Sequence, residues 1–149
     1  MFETILIPTD GSEPARNAAK KGVQLAAEHG ATIHVLYAVE PVRLGGYTTG
    51  AKPASAEHEK IVERQRAEGQ AAIDEVVELA TEKGVDVFER IEYGEPDEEI
   101  LEYAETEGID AIVMGTHGRT GAGRLVIGSV AEKVVRRSPI PVVTIRREK

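Results

Sequence analysis

The feature that most constrains this chain is the alternation of short apolar runs with longer segments of helical periodicity, repeated from end to end. Thr4 to Pro8 is a short strand whose Ile5, Leu6 and Ile7 form a continuous apolar run. Thr9 to Ser12 is a turn, with Ser12 suited to cap the next helix and Pro14 in its first turn. Ala15, Ala18, Ala19, Val23, Ala26 and Ala27 then recur at helical spacing up to Gly30. Gly22 is the weak point of that helix. Thr32 to Val39 predicts a second strand, and Ala56 to Lys83 a long helix with Ala72, Ile73, Val76, Val77 and Ala80 on its apolar stripe. Val85 to Glu92, Ile109 to Met114 and Val142 to Arg146 predict three more strands. They are separated by a helix opened by Gly94-Glu95-Pro96 and by another over 128–137.

Strands that are apolar throughout, rather than alternating, belong to a parallel sheet covered by helices on both faces. The expectation is a single α/β domain over residues 1–149, an open parallel five-stranded sheet. The last strand follows the helix after strand four and is expected beside it, giving the order 3-2-1-4-5. Residues 40–55, rich in Pro, Gly, Thr and Lys, form the one long irregular stretch.

Composition narrows the function. The 26 acidic and 18 basic residues give a formal net charge of −8, which argues against nucleic acid as a partner. The balance suits a salty cytoplasm and equally an ordinary soluble protein. With no Cys, thiol catalysis and Cys-based zinc sites are excluded. Pro8 and Asp10 interrupt the first apolar run, unlike a signal peptide, and no stretch has the length of a membrane span. The expected location is the cytoplasm.

In an open parallel sheet, ligands bind beyond the carboxyl ends of the strands, where strand order reverses. Two loops are equipped for this. One is Pro8-Thr9-Asp10-Gly11-Ser12. The other, residues 115–123, holds four glycines in nine residues and leads toward Gly128-Ser129 at a helix start. Glycines permit close approach of a phosphate, the helix start supplies N–H groups, and Arg119 and Arg124 add positive charge. The bland alternative is a turn without a ligand. Asp10 has one too, as a turn cap. His117 stands apart from His29, His34 and His58, which fall on other elements, so no metal spacing exists and it reads as a loop side chain near the phosphates. The charged run Glu57 to Glu68 reads as a solvated face.

A P-loop is incomplete here, because 123–129 lacks the lysine before Ser129, and a G-x-G-x-x-G fingerprint is absent. A third spacing fits: Gly115, two residues, Gly118, nine residues, Gly128, Ser129. With Ile5 to Ser12 and Pro139-Ile140-Pro141-Val142, this resembles the ATP-binding branch of the universal stress protein family over nearly the whole chain. The resemblance implies an adenine nucleotide alpha hydrolase-like fold that binds ATP with Mg²⁺ or Mn²⁺. It implies that Pro8, Thr9 and Asp10 line the nucleotide, Asp10 near the ribose or a phosphate-bound metal. Ala38 would meet the adenine edge through its backbone, with Val39 beside it. Met114 and Gly115 would flank the ribose, and Gly118, Gly128, Ser129 and Val130 would hold the phosphates, near Arg119 and Arg124.

The implied function is that of a regulatory or stress-response protein, a homodimer joined through the last strand. The last strand is an edge, apolar on both faces through Val142, Val143 and Ile145. The alternative is an ATPase or nucleotidyl-transfer enzyme on the same fold. No base stands at a defined spacing, so any hydrolysis is expected to be slow. An electron-transfer flavoprotein-like fold without ligand is the third reading, and the intact glycine pattern speaks against it.

Overall fold

The computed structural model describes residues 2–41, 56–117 and 128–146. Strand β1 (Thr4–Pro8) leads to helix α1 (Glu13–His29), β2 (Thr32–Val39), α2 (Ala56–Glu82), β3 (Val87–Tyr93), α3 (Pro96–Thr106), β4 (Ala111–Gly115), α4 (Ser129–Arg137) and β5 (Val142–Ile145). All neighbouring strands pair in parallel, in the order β3-β2-β1-β4-β5. The expected sheet and order are therefore those of the protein.

Side chains alternate across the strands, so β1, β2, β4 and β5 feed two cores, while β3 adds Val87 and Ile91 to one of them. Ile5, Ile7, Val35, Tyr37 and Val113 point to one face, where they meet Ala19, Val23 and Ala26 of α1 and Ile73, Val76 and Ala80 of α2. Leu6, Leu36, Ile112 and Met114 point to the other, against Ile100 and Tyr103 of α3 and Val134 of α4. Gly22 has its reason here. A Cβ on it would lie 2.7 Å from Cδ1 of Ile7, so the glycine lets α1 settle onto the sheet.

Two strand starts differ from the sequence expectation. Val85 donates its N–H to the Ala80 carbonyl and Ile109 donates to Ala104, each just after a glycine with φ near +70° (Gly84) or +65° (Gly108). Both apolar residues close the end of a helix and do not belong to the strand that follows. β3 and β4 accordingly begin at Val87 and Ala111. The last strand ends at Ile145, one residue short of Arg146.

β1 sits at the middle of the sheet. The chain leaves it toward β2 on one side and β4 is added on the other. The carboxyl ends of β1 and β4 therefore flank the point where strand order reverses.

Candidate functional site

At that reversal point the ends of β1, β2 and β4 and the starts of α3 and α4 surround a cavity of about 450 Å³. Its first wall is the turn after β1. Thr9 is buried and donates its N–H to the Leu36 carbonyl at 2.9 Å, continuing the β1–β2 ladder. The Thr9 hydroxyl accepts the N–H of Gly11 at 3.1 Å, and Oδ1 of Asp10 accepts the N–H of Ser12 at 2.9 Å. Ser12 in turn accepts the N–H of Ala15 at 3.3 Å and caps α1. Three successive polar side chains thus fix the turn and the angle at which α1 departs. Asp10 is a turn former, as the plainer reading had it, and it also lines the cavity.

The second wall is the end of β4. Met114, Thr116 and His117 are all buried, and the Thr116 hydroxyl lies 3.0 Å from Nδ1 of His117. Thr116 donates its N–H to the Ile145 carbonyl at 3.0 Å and accepts the N–H of Gly128 at 2.6 Å. This second bond ties the start of α4 to the end of β4 directly. His117, expected as a loop side chain, is packed into the wall.

The third wall is the start of α4. Gly128 is its N-cap, in extended conformation and without a side-chain cap, and its carbonyl accepts from Glu132. The N–H groups of Ser129, Val130 and Ala131 precede the first intrahelical bond, and all three residues line the cavity. They place the positive end of the α4 dipole at its wall. The charged side chains on the wall among the described residues are Asp10 and Glu40, both acidic. The positive potential from described groups therefore comes from backbone.

Pro8, Thr9, Asp10, Ala38, Met114, Gly115, Gly128, Ser129 and Val130 all line this one cavity, which brings residues from positions 8 to 130 together. Val39 does not. It is buried in the core under α2, because it follows Ala38 on a strand and so points to the opposite face. Gly118, Arg119 and Arg124 lie outside the described residues, as does 42–55 of the irregular stretch. The sequence reading missed Leu36, Tyr37, Glu40, Pro41, Gln65, Pro96 and Ile100 on the wall. The rule that sites lie past strand ends was the available signal for the end of β2 and the start of α3. Gln65 had none, since it falls in the run taken for a solvated face.

The sequence model described as the universal stress protein family matches residues 1–146. A universal stress protein of Methanocaldococcus jannaschii is 38% identical over 149 residues, covering 100% of this chain and 85% of its own. The solved UspA of Lactobacillus plantarum superposes with a TM-score of 0.80 at 29% identity, over 97% of this chain and 98% of that one. A universal stress protein solved in complex with cAMP superposes with a TM-score of 0.72 at 25% identity, over 97% of both chains.

Proposed function

The chain belongs to the universal stress protein family, and on that premise we propose that it is a regulatory protein that holds ATP in the cavity between β1, β4 and α4. The observation that carries this reading is the convergence of the β1 turn, the end of β4 and the N-terminus of α4 on one cavity of about 450 Å³. That volume lies within the range of small-molecule sites, about 300–1,000 Å³. The complex of a relative with cAMP supports an adenine nucleotide as the ligand class.

The orientation follows from the chemistry of the walls. Phosphates go to the N–H groups of Ser129 and Val130 and to the Ser129 hydroxyl, at the positive end of α4. Gly118, Arg119 and Arg124 are assigned to the same end by the signature spacing alone. The ribose lies along Met114 and Gly115. The base lies at the end of β2, against the Ala38 backbone. Among the described residues no group of three or more His, Asp or Glu stands ready to hold a metal ion. A single carboxylate nevertheless suits Mg²⁺, which commonly takes one or two carboxylates and completes its shell with phosphate oxygens and water. Asp10 is that carboxylate, and Mg²⁺ or Mn²⁺ would neutralise phosphate charge beside it.

We also assign the free edge of β5 to a homodimer. β5 pairs with β4 on one side, and none of the described strands pairs with its other side. The protein acts as a soluble cytoplasmic factor in this reading; no described helix is long and apolar enough to cross a membrane.

Titration calorimetry with ATP and GTP, with and without Mg²⁺, tests the proposal. ATP should bind and Gly128→Val should abolish binding with an unchanged far-UV circular dichroism spectrum. Absence of ATP binding at millimolar ligand overturns it, and so does a Gly128→Val variant of normal affinity.

A further inference from the structure

The cavity has two ends of different chemistry. One is the α4 N-terminus. At the other, β2 runs out at Val39 and Gln65 of α2 stands on the wall. Near that point α2 makes a close approach to β2 at Gly69. Because β2 and β3 are parallel, the helix between them runs back against the strands, and its first half overhangs their carboxyl ends. A Cβ on Gly69 would lie 2.5 Å from Cδ1 and 2.8 Å from Cε1 of Tyr37. Tyr37 is only 3% exposed, so the ring cannot simply swing out into solvent. Only glycine lets α2 sit this close to β2. Gln65 precedes Gly69 by four residues, one turn and about 6 Å along the axis, on the same face. The Gly69–Tyr37 contact therefore carries Gln65 past the ring to the strand end.

The chain has three glutamines. Gln24 donates to Glu28, and Gln70 donates to Asp74 and Glu89, all at the surface. Gln65 is half-buried on the cavity wall and makes no hydrogen bond to another described residue. Its amide holds a donor and an acceptor side by side in one plane.

We infer that Gln65 is the side chain that reads the nucleobase, with Gly69 on Tyr37 as the seat that sets its reach. This rests on the cavity being a nucleotide site. Adenine offers a matching pair, the 6-amino group as donor and the adjacent ring nitrogen as acceptor, to Oε1 and Nε2 of the amide. Glu40, which only accepts, lines the same end. It favours an amino group at position 6 over a carbonyl, whose lone pairs would face the carboxylate.

The test compares ATP with ITP, which carries a 6-carbonyl, by calorimetry on wild type, Gln65→Leu and Gln24→Leu. Wild type should prefer ATP. Gln65→Leu should bind ATP about tenfold more weakly, the effect of losing a pair of neutral hydrogen bonds, and ITP with little change. The preference should therefore shrink, while Gln24→Leu matches wild type. An ATP/ITP ratio unchanged in Gln65→Leu overturns the assignment even if both affinities fall. Wild type that binds ATP but shows no preference also overturns it. Binding of neither nucleotide to wild type overturns the nucleotide site itself, and this inference with it. Gly69→Ala should reproduce the loss of preference by lifting α2; should it fail to fold, the Gln65→Leu ratio still decides.

Discussion

Gly115 lies where two explanations for a glycine meet, and Gly115→Ala separates them. The family signature assigns it to close approach by a nucleotide. The structure gives a second reason that needs no ligand. A Cβ on Gly115 would lie 3.0 Å from the carbonyl oxygen of Pro14 and 3.3 Å from that of His117. Both are backbone atoms, and Pro14 lies in the first turn of α1, so neither can rotate away as a side chain would. To admit the methyl group, the start of α1 must give by a few tenths of an ångström. Overpacking of this kind costs about 1–3 kcal/mol. Gly115 is not in the left-handed region, so alanine also restricts the unfolded chain and returns about 0.4–1 kcal/mol. A net loss of about 1.5 kcal/mol lowers Tm by about 3–6 °C for a chain of this size. Since Gly115 and Ala15, the residue after Pro14, both line the cavity, ATP affinity should fall as well. Scanning calorimetry on ligand-free protein is the assay, with ATP titration beside it. A ligand-free Tm equal to or above that of wild type refutes the packing argument, and lost affinity at that unchanged Tm would assign the glycine to the ligand alone.

Asp10→Asn retains an oxygen for the Ser12 N–H and should fold with wild-type Tm, yet it should lose most of the Mg²⁺ dependence of ATP binding; an unchanged Mg²⁺ dependence removes Asp10 from the metal. The ladder bonds from Ile112 to the Pro141 carbonyl and from Thr116 to Ile145 turn alternate residues of β5 toward β4, leaving the N–H of Val142 and Thr144 on the free edge. Thr144→Pro should therefore convert the proposed dimer to a 16.1 kDa monomer in light scattering, and a dimer that survives it places the interface elsewhere. Nδ1 of His34 lies 2.6 Å from the Tyr103 hydroxyl, and burial holds its pKa below the ordinary 6.5, with Arg90 lowering it further and Glu107 opposing. The unfolded chain binds the proton first, so stability should fall as pH drops below about 6.5 toward the lowered folded value, and His34→Phe should flatten that slope in urea unfolding; an equal slope in both refutes it.

The sheet was legible because its signals are redundant. An apolar run such as Ile5-Leu6-Ile7 marks a strand covered on both faces, and the helices between leave little choice of topology. What was misread was local. Val85 and Ile109 carry strand-like side chains, but each follows a glycine in left-handed conformation and closes the helix before it. Composition does not distinguish an apolar residue that caps a helix from one that opens a strand. The distinction lies in where the N–H goes, and Gly-Val-Asp and Gly-Ile-Asp after charged helices are the visible trace of it.

The site divides in the same way. Residues supplied by backbone and turn chemistry, from Pro8 to Asp10 and from Gly128 to Val130, are fixed by short motifs and could be placed without coordinates. Val39 was placed in the cavity by adjacency to Ala38, and the two-residue period of a strand turns it away. Gln65 was lost for the opposite reason. It sits among exposed charges, and nothing in its own neighbourhood marks it. Its position depends on Gly69 four residues later and on Tyr37 in another element, so it becomes visible only when α2 is seated on β2. In the proposed nucleotide site the phosphate end would be written in contiguous sequence, because backbone N–H groups hold anions of any nucleotide. The base end would be written in packing, through the distance from one helix to one ring. Members that share the glycine spacing therefore need not share a base preference, and the pair at the positions of Gly69 and Tyr37 is where such a difference would arise.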